Sequence, residues 1–517
     1  LAAQTWLRRA RRALLATGTT AVLTAALIAG TETASQAATQ GPCDLYASGG
    51  TPCVAAHSTT RALYGGYGGA LYQVRRASDG ATKDIGVLST GGYANAAAQD
   101  AFCSATTCVI TVIYDQSGKG NHLTQAPAGG AAPGPDNLAP ATAAPVTVAG
   151  HKAYGVYVAA GTGYRNNHTN GIATGDQPEG MYAILDGTHF GGGCCFDYGN
   201  AETNNLDTGN GHMEAIYFGD STIWGSGTGK GPWVMADLEN GLFSGVNAGY
   251  NANDPSVSHR FLTAIVKGAP NLWAIKAGNA QSGALSTYYS GPRPNVPGYN
   301  PMHKEGAIIL GIGGDNSKSS SGTFYEGVMT SGYPSDATEN AVQANITAAN
   351  YRAANITSSA LTPGARVSLK ATTACCTADY LRHNADATVA ISPITSGSSA
   401  ADKSDATWIV RAGLANSSCL SFESAAAPGQ YLRHYGFQLH TAASDGTALF
   451  NQDATFCLQA GHSGQGFSFQ SSNYPNRFLR HYAYTGYVAG DGVGGNTWDS
   501  DASWSEDTSW LTAQPWA

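Results

Sequence analysis

The chain has 517 residues, of which 12% are Asp, Glu, Lys or Arg, with 66 glycines and a formal net charge of −8. About half the usual charge and nearly twice the usual glycine exclude a long-helix protein, a coiled coil and a charged disordered chain. The negative balance leaves no basic face for nucleic acid and would be repelled by an acidic membrane surface, so the expected partner is neutral or small.

Arg8, Arg9, Arg11 and Arg12 precede an apolar run from Ala13 to Gly30, and Ser35-Gln36-Ala37 follows. A basic start, an apolar middle and small residues at the end read as a secretory signal peptide over 1–37, which places the protein outside the cell. No later segment reads as transmembrane. All ten cysteines come after Ala37. An even number in an exported chain predicts disulfides, with Cys43–Cys53 and Cys103–Cys108 stapling short loops. Zinc fits less well, because there is no doubled Cys-x-x-Cys and no His at finger spacing. The adjacent Cys194 and Cys195 form either a rigid functional wall or two separate structural thiols.

From Cys43 to about Thr330 the recurring unit is a short β-rich run ended by glycine or asparagine. Examples are 108–115 (CVITVIYD), 180–187 (GMYAILDG), 214–220 (EAIYFGD), 232–241 (PWVMADLENG), 307–316 (AIILGIGGDN) and 324–333 (FYEGVMTSGY). Many short strands with turn signals and few helices predict an all-β sandwich or barrel. One helix is expected from Ser335 to about Asn355, after a Ser-Asp cap. The reading divides the chain into a β-sandwich over 41–357, a short linker over 358–364 and a second domain over 365–517.

The second domain carries an internal repeat: Tyr380-Leu-Arg-His383, Tyr431-Leu-Arg-His434 and Phe478-Leu-Arg-His481. Each is followed by an Asp beside an aromatic, in Asp405-Ala-Thr-Trp408, Asp453-Ala-Thr-Phe456 and Asp507-Thr-Ser-Trp510. Three repeats of about fifty residues with β composition fit a β-trefoil better than a propeller of four or more blades. The Arg-His and Asp groups are either sugar-site residues or polar staples repeated for structure.

With few acids to choose from, two stand out because each ends an apolar run at a glycine or asparagine: Glu239 in MADLENG and Asp315 in ILGIGGDNS. A sandwich can present carboxylates at strand ends into a cleft, and two facing carboxyls across a sugar supply acid and nucleophile or acid and base. The same residues also make ordinary turns.

The segments 41–64 (GPCDLYASGGTPCVAAHSTTRALY), 114–127 (YDQSGKGNHLTQAP), 192–204 (GGCCFDYGNAETN), 213–225 (MEAIYFGDSTIWG), 235–245 (MADLENGLFSG) and 305–317 (EGAIILGIGGDNS) closely resemble the α-L-arabinofuranosidases of glycoside hydrolase family 54. The tail resembles their arabinose-binding module, carbohydrate-binding module family 42, a β-trefoil. The resemblance implies Glu239 as nucleophile, Asp315 as general acid/base, and Cys194–Cys195 as a vicinal disulfide packed against the arabinose ring. It places Asp197, Trp224, Asp237, Asn240 and Gly314 around the sugar. In the trefoil it implies sugar sites at His434 with Asp453 and at His481 with Asp507, Asp501 being a rival for Asp507. His383 and Asp405 of the first repeat form a third pair that not every family member uses. Cys419–Cys457 is expected as a bridge inside the trefoil, and Cys375 and Cys376 are left without an assigned partner.

The implied activity is a secreted, monomeric, exo-acting retaining α-L-arabinofuranosidase that trims arabinoxylan or arabinan while its trefoil holds the polymer. Retention predicts a carboxyl separation of about 5–5.5 Å. No metal or cofactor is required, because protonation and a covalent intermediate supply the activation.

Overall fold

The β-rich runs become strands of two sheets that share one core. A computed structural model describes residues 40–517 apart from 105, 354–357, 418, 464, 475–476 and 492–494, so the expected signal peptide lies outside the described residues. One sheet runs in the order Cys53–Ser58, Gly322–Ser331, Glu179–Phe190, Phe261–Ala269, Leu272–Asn279 and Ser286–Gly291, with Val156–Val158 added to Gly322–Ser331. The other is ten strands wide among the described residues. Its order is Leu242–Phe243, Trp233–Asp237, Glu214–Gly219, Asp197–Ala201, Ala307–Leu310, Tyr164–Asn166, Leu123–Gln125, Cys108–Ile113, Ala70–Arg76 and Thr82–Gly86. Met181, Val266 and Phe324 of the first sheet share a single buried cluster with Tyr198, Ile216 and Leu310 of the second, and the Phe324 and Tyr198 rings lie 5.0 Å apart across it, which makes the domain a sandwich.

Alternation along the ten-stranded sheet decides what the opposite face carries. Tyr198, Ile216, Val234, Ala236, Ile308 and Leu310 point into the shared core. Their neighbours in sequence therefore point outward, and register aligns them: Asp197 lies opposite Tyr217, Tyr217 opposite Met235, and Ala215 opposite Asp237. Two small apolar clusters lie on that outer face, one of Cys195, Tyr217, Trp233, Met235 and Leu242, the other including Met213, Ala215, Ile309 and Ile312. Two buried glutamates of the sheets are held by cations. Arg61 makes a two-pronged ion pair with Glu326, and Arg293 and Lys304 hold Glu214.

The expected helix is shorter than its sequence pattern. It spans Asp336–Ala348, capped by Ser335 Oγ accepting from Thr338 N. Asn350 at φ 53° turns the chain, and Tyr351–Ala353 then pairs with strand Pro145–Val148, so backbone pairing overrides the polar helical spacing of the last residues.

A second buried cluster gathers residues from Leu361 to Trp510, including Leu381, Leu432 and Leu479 of the three repeated motifs, each fully buried. Trp408 and Trp510 donate their indole N–H groups to the carbonyls of Leu381 and Leu479, closing the first and third repeats onto their own opening strands. This β-trefoil core reaches into the stretch expected as linker: Leu361 is 3% exposed and Gly364 N donates to Val410 O. Arg260 of the sandwich donates to Gln459 of the trefoil at 3.1 Å. The disulfides are Cys43–Cys53, Cys103–Cys108, Cys194–Cys195, Cys375–Cys376 and Cys419–Cys457, leaving no free cysteine among the described residues. Cys375 and Cys376, which the sequence left unassigned, are bonded to each other.

Candidate active site

The outer face of the ten-stranded sheet holds a cavity of about 150 Å³. Glu239, Asp315, Cys194, Trp224, Asp237 and Gly314 line it together, so residues 121 positions apart at the extremes share one wall-to-wall space. Asp197, Cys195 and Asn240 are not part of the lining. Cys195 Sγ lies 3.5 Å from Asp237 Oδ2, and Asn240 N donates to Tyr299 Oη at 2.9 Å. The sulfurs of Cys194 and Cys195 are joined, so the cluster they form with Asp237 offers no thiolate to a metal.

Glu239 sits in the four-residue connection between strands Trp233–Asp237 and Leu242–Phe243. Its backbone is at φ +79°, a region that costs a non-glycine residue free energy and that tends to be retained at functional sites. Asp237 Oδ1 accepts the Glu239 N–H at 2.9 Å and Leu238 N donates to Gly241 O, which fixes the turn. The Glu239 side chain is 1% exposed. One of its oxygens accepts from His212 N at 2.7 Å and the other from Thr208 N at 3.1 Å, with His212 Nδ1 3.2 Å from Oε2. Those donors leave the carboxylate rigid and aligned, as a nucleophile requires.

Asp315 follows strand Ala307–Leu310 on a tight loop in which Gly313 N donates to Ser317 O and Asn316 takes φ +67°. Its Oδ1 accepts from Ser317 N at 2.9 Å, and it is half-buried. The loop is anchored from outside: Asn316 and Lys318 both reach Asp136 Oδ1, at 3.1 and 2.7 Å.

Around this pair the acids lack the partners that the sandwich interior provides. Asp197 is 1% exposed with no N–H or O–H donor on either oxygen, and burial, then the charge of Asp237, drive its carboxyl well above the usual range. Asp237 itself is pushed up to about 7, chiefly by burial. Sequence reasoning missed Glu202, Asp207, Met213, Leu242 and Ser317 in the lining, and His212 and Thr208 behind Glu239. Glu202, Met213, Leu242 and Ser317 lie inside the family-like segments, which was the available signal.

The trefoil repeats place their His and Asp together three times. His434 Nε2 is 3.4 Å from Asp453 Oδ1, His481 Nε2 is 3.6 Å from Asp507 Oδ1, and His383 Nε2 is 3.3 Å from Asp405 Oδ1. Each Asp also takes the Arg of its own motif: Arg433 to Asp453, Arg480 to Asp507, Arg382 to Asp405. Asp501 is exposed, so Asp507 is the partner of His481. A residue from the neighbouring repeat completes two of the three. Asn473 donates to Asp453 and lies 3.0 Å from His434, and Thr373 donates to Asp507 and lies 2.9 Å from His481. The matching position toward the first repeat is Ala426, two residues after strand Leu420–Ser424, and it has no polar side chain.

A ring-sized cavity with two carboxylates on a β-sandwich, joined to a trefoil that repeats an Arg-His and Asp constellation, defines a glycoside hydrolase with a carbohydrate-binding module. Residues 42–352 match the family described as "Alpha-L-arabinofuranosidase B, catalytic", and residues 369–511 match the "Alpha-L-arabinofuranosidase B (ABFB) domain". The chain is 67% identical over 453 residues to an Aspergillus terreus protein named a probable α-L-arabinofuranosidase B, covering 87% of this chain and 89% of the relative. It is 63% identical to the α-L-arabinofuranosidase of Hypocrea jecorina, covering 92% and 96%. A crystal structure of an arabinofuranosidase complexed with arabinofuranosyl-α-1,2-xylobiose matches with a TM-score of 0.66 at 58% identity, covering 92% of this chain and all of the other. The chain belongs to the α-L-arabinofuranosidase B family, glycoside hydrolase family 54 with a C-terminal AbfB module of carbohydrate-binding family 42. It is a glycoside hydrolase of the α-L-arabinofuranosidase type.

Proposed function

We propose that the enzyme is secreted and exo-acting, and removes terminal non-reducing α-L-arabinofuranosyl residues from arabinoxylan and arabinan with retention of configuration. The observation that carries the reading is the shared cavity: Glu239 and Asp315 face into a space on the scale of one sugar ring rather than a polymer chain. Glu239, held by backbone N–H groups, attacks the anomeric carbon while Asp315 protonates the departing oxygen. Water, deprotonated by the same Asp315, then releases the sugar. Cys194 and Trp224 offer the ring apolar surface, Asp237 and Gly314 reach its hydroxyls, and Cys195 and Asp197 stand behind that wall, with Asn240 beside Glu239 at the rim.

The disulfides fit an oxidising, extracellular setting. The division into a sandwich over 41–357 and a trefoil over 365–517 separates cutting from holding, and tethering raises the local concentration of substrate without altering the chemistry. The second and third repeats hold arabinose through His434 with Asp453 and His481 with Asp507, because Asn473 and Thr373 preorient those pairs. His383 and Asp405 lack that group and hold sugar weakly at most. The arabinofuranosyl-xylobiose bound to the structural relative supports an arabinoxylan side chain as substrate.

Release of 4-nitrophenol from 4-nitrophenyl α-L-arabinofuranoside is expected to fall roughly a thousandfold or more in Glu239→Ala, and proton NMR should show the α-anomer as the first sugar formed. Equal activity of the two proteins would remove Glu239 from the mechanism, and a first-formed β-anomer would make the enzyme inverting.

A further inference from the structure

We propose that Glu202 is a substrate-contact residue, a buried carboxyl that gives a hydrogen bond to one hydroxyl of the arabinofuranose held between Glu239 and Asp315. The proposal rests on the reading of that pair as the reacting groups. Glu202 follows strand Asp197–Ala201, lines the cavity and is 1% exposed. Neither of its side-chain oxygens has a hydrogen-bond partner within the protein. Glu214 and Glu326, equally buried, are each held by cations, and Asp254, without a partner like Glu202, lies outside the cavity that Glu202 lines. A buried polar group without a partner is costly, and in a cavity the missing partner is a ligand group.

The surroundings decide which form Glu202 takes. Asp237 and Glu239 face it from the hairpin after Trp233–Asp237, Asp315 from the loop after Ala307–Leu310, and Asp207 from its own loop. The nearby cation, Arg165, spends its N–H groups elsewhere, on the carbonyl oxygens of Glu202 and Gly314 and on Asn167 Oδ1. Burial first, then the charges of Glu239 and Asp237, push the Glu202 carboxyl up to about 8. A neutral carboxyl has one O–H to donate, and a sugar hydroxyl can accept it. The position is also enforced, because a Cβ at Gly314 would stand 1.8 Å from Glu202 Oε2, so the glycine before Asp315 is the space this carboxyl occupies.

The test compares wild type, Glu202→Leu and Glu202→Gln on 4-nitrophenyl α-L-arabinofuranoside and its 2-, 3- and 5-deoxy analogues, with Glu239→Gln alongside. In wild type each missing hydroxyl lowers kcat/KM. Glu202→Leu is expected to lose about ten- to a hundredfold on the parent sugar and no further on one of the three analogues, while Glu202→Gln, which keeps a donor, loses less. Penalties that add for all three analogues would overturn the proposal and leave Glu202 a packing residue. Full activity of Glu239→Gln would instead overturn the reading of the reacting pair. Should Glu202→Leu not fold, Glu202→Asp draws the carboxyl back by one methylene and must abolish the same hydroxyl's contribution.

Discussion

Asp254 is fully buried in strand Gly249–Pro255, and neither of its carboxylate oxygens has a hydrogen-bond partner. Burial alone pushes its carboxyl up to about 9. In the unfolded chain it titrates near 4. Between those values the folded protein carries one proton more than the unfolded one, so the stability contributed is greatest below about pH 4, falls as pH rises and levels off above about 9. The slope is about 1.4 kcal/mol per pH unit, which accumulates to on the order of 4 kcal/mol between pH 4 and 7. Asn cannot ionise in either state, so Asp254→Asn is expected to remove this slope and gain stability over wild type steadily from pH 4.5 to 8.5. The consequence reaches the active site, because Gly249–Pro255 pairs with Gly225–Thr228, the strand that begins directly after Trp224. Urea unfolding at pH 4.5, 6.5 and 8.5, with hydrogen exchange of residues 225–255, gives the readout. Parallel pH profiles for the two proteins would refute the reasoning.

Gly314→Ala should lower kcat/KM on 4-nitrophenyl α-L-arabinofuranoside at least roughly tenfold while leaving polymer binding intact, since the new methyl must displace Glu202 and the backbone is held by Arg165 donating to Gly314 O at 2.5 Å. Unchanged kinetics would contradict that packing. His434→Ala combined with His481→Ala is expected to weaken retention on arabinoxylan in a pull-down by roughly tenfold or more, through loss of two linked sites, and to spare turnover of the small substrate. Equal loss on both substrates would argue against a separate holding function.

The strands were legible where apolar residues run between turn signals. The runs at 108–115, 180–187, 214–220, 232–241, 307–316 and 324–333 all contain strands. The three Leu-Arg-His motifs likewise announced a threefold unit whose leucines fill one core. The order of the ten-stranded sheet was not legible, because Asp197–Ala201 lies between Glu214–Gly219 and Ala307–Leu310, and no local pattern encodes a partner more than a hundred residues away. That same register sets Asp197 and Asp237 on one outward face of the sheet, so the charge of one strand-end acid raises the carboxyl of another that is forty residues away in sequence. Glu202 escaped for a related reason. It follows a strand of alternating pattern, and only the fold reveals that no cation reaches it. Asn473 and Thr373 were hidden as well, since each serves the His–Asp pair of a neighbouring repeat.

Glu239 is the group proposed to form a bond to the sugar. An arabinofuranose-configured electrophile such as a cyclic sulfate, incubated with the enzyme and followed by peptide mapping, tests this most directly. A single adduct on the Glu239 carboxyl with the mass of the whole reagent, its ring-opened sulfate still attached to the sugar, is the predicted result. Labelling of Asp237, Glu202 or Asp315 with Glu239 unmodified would contradict it.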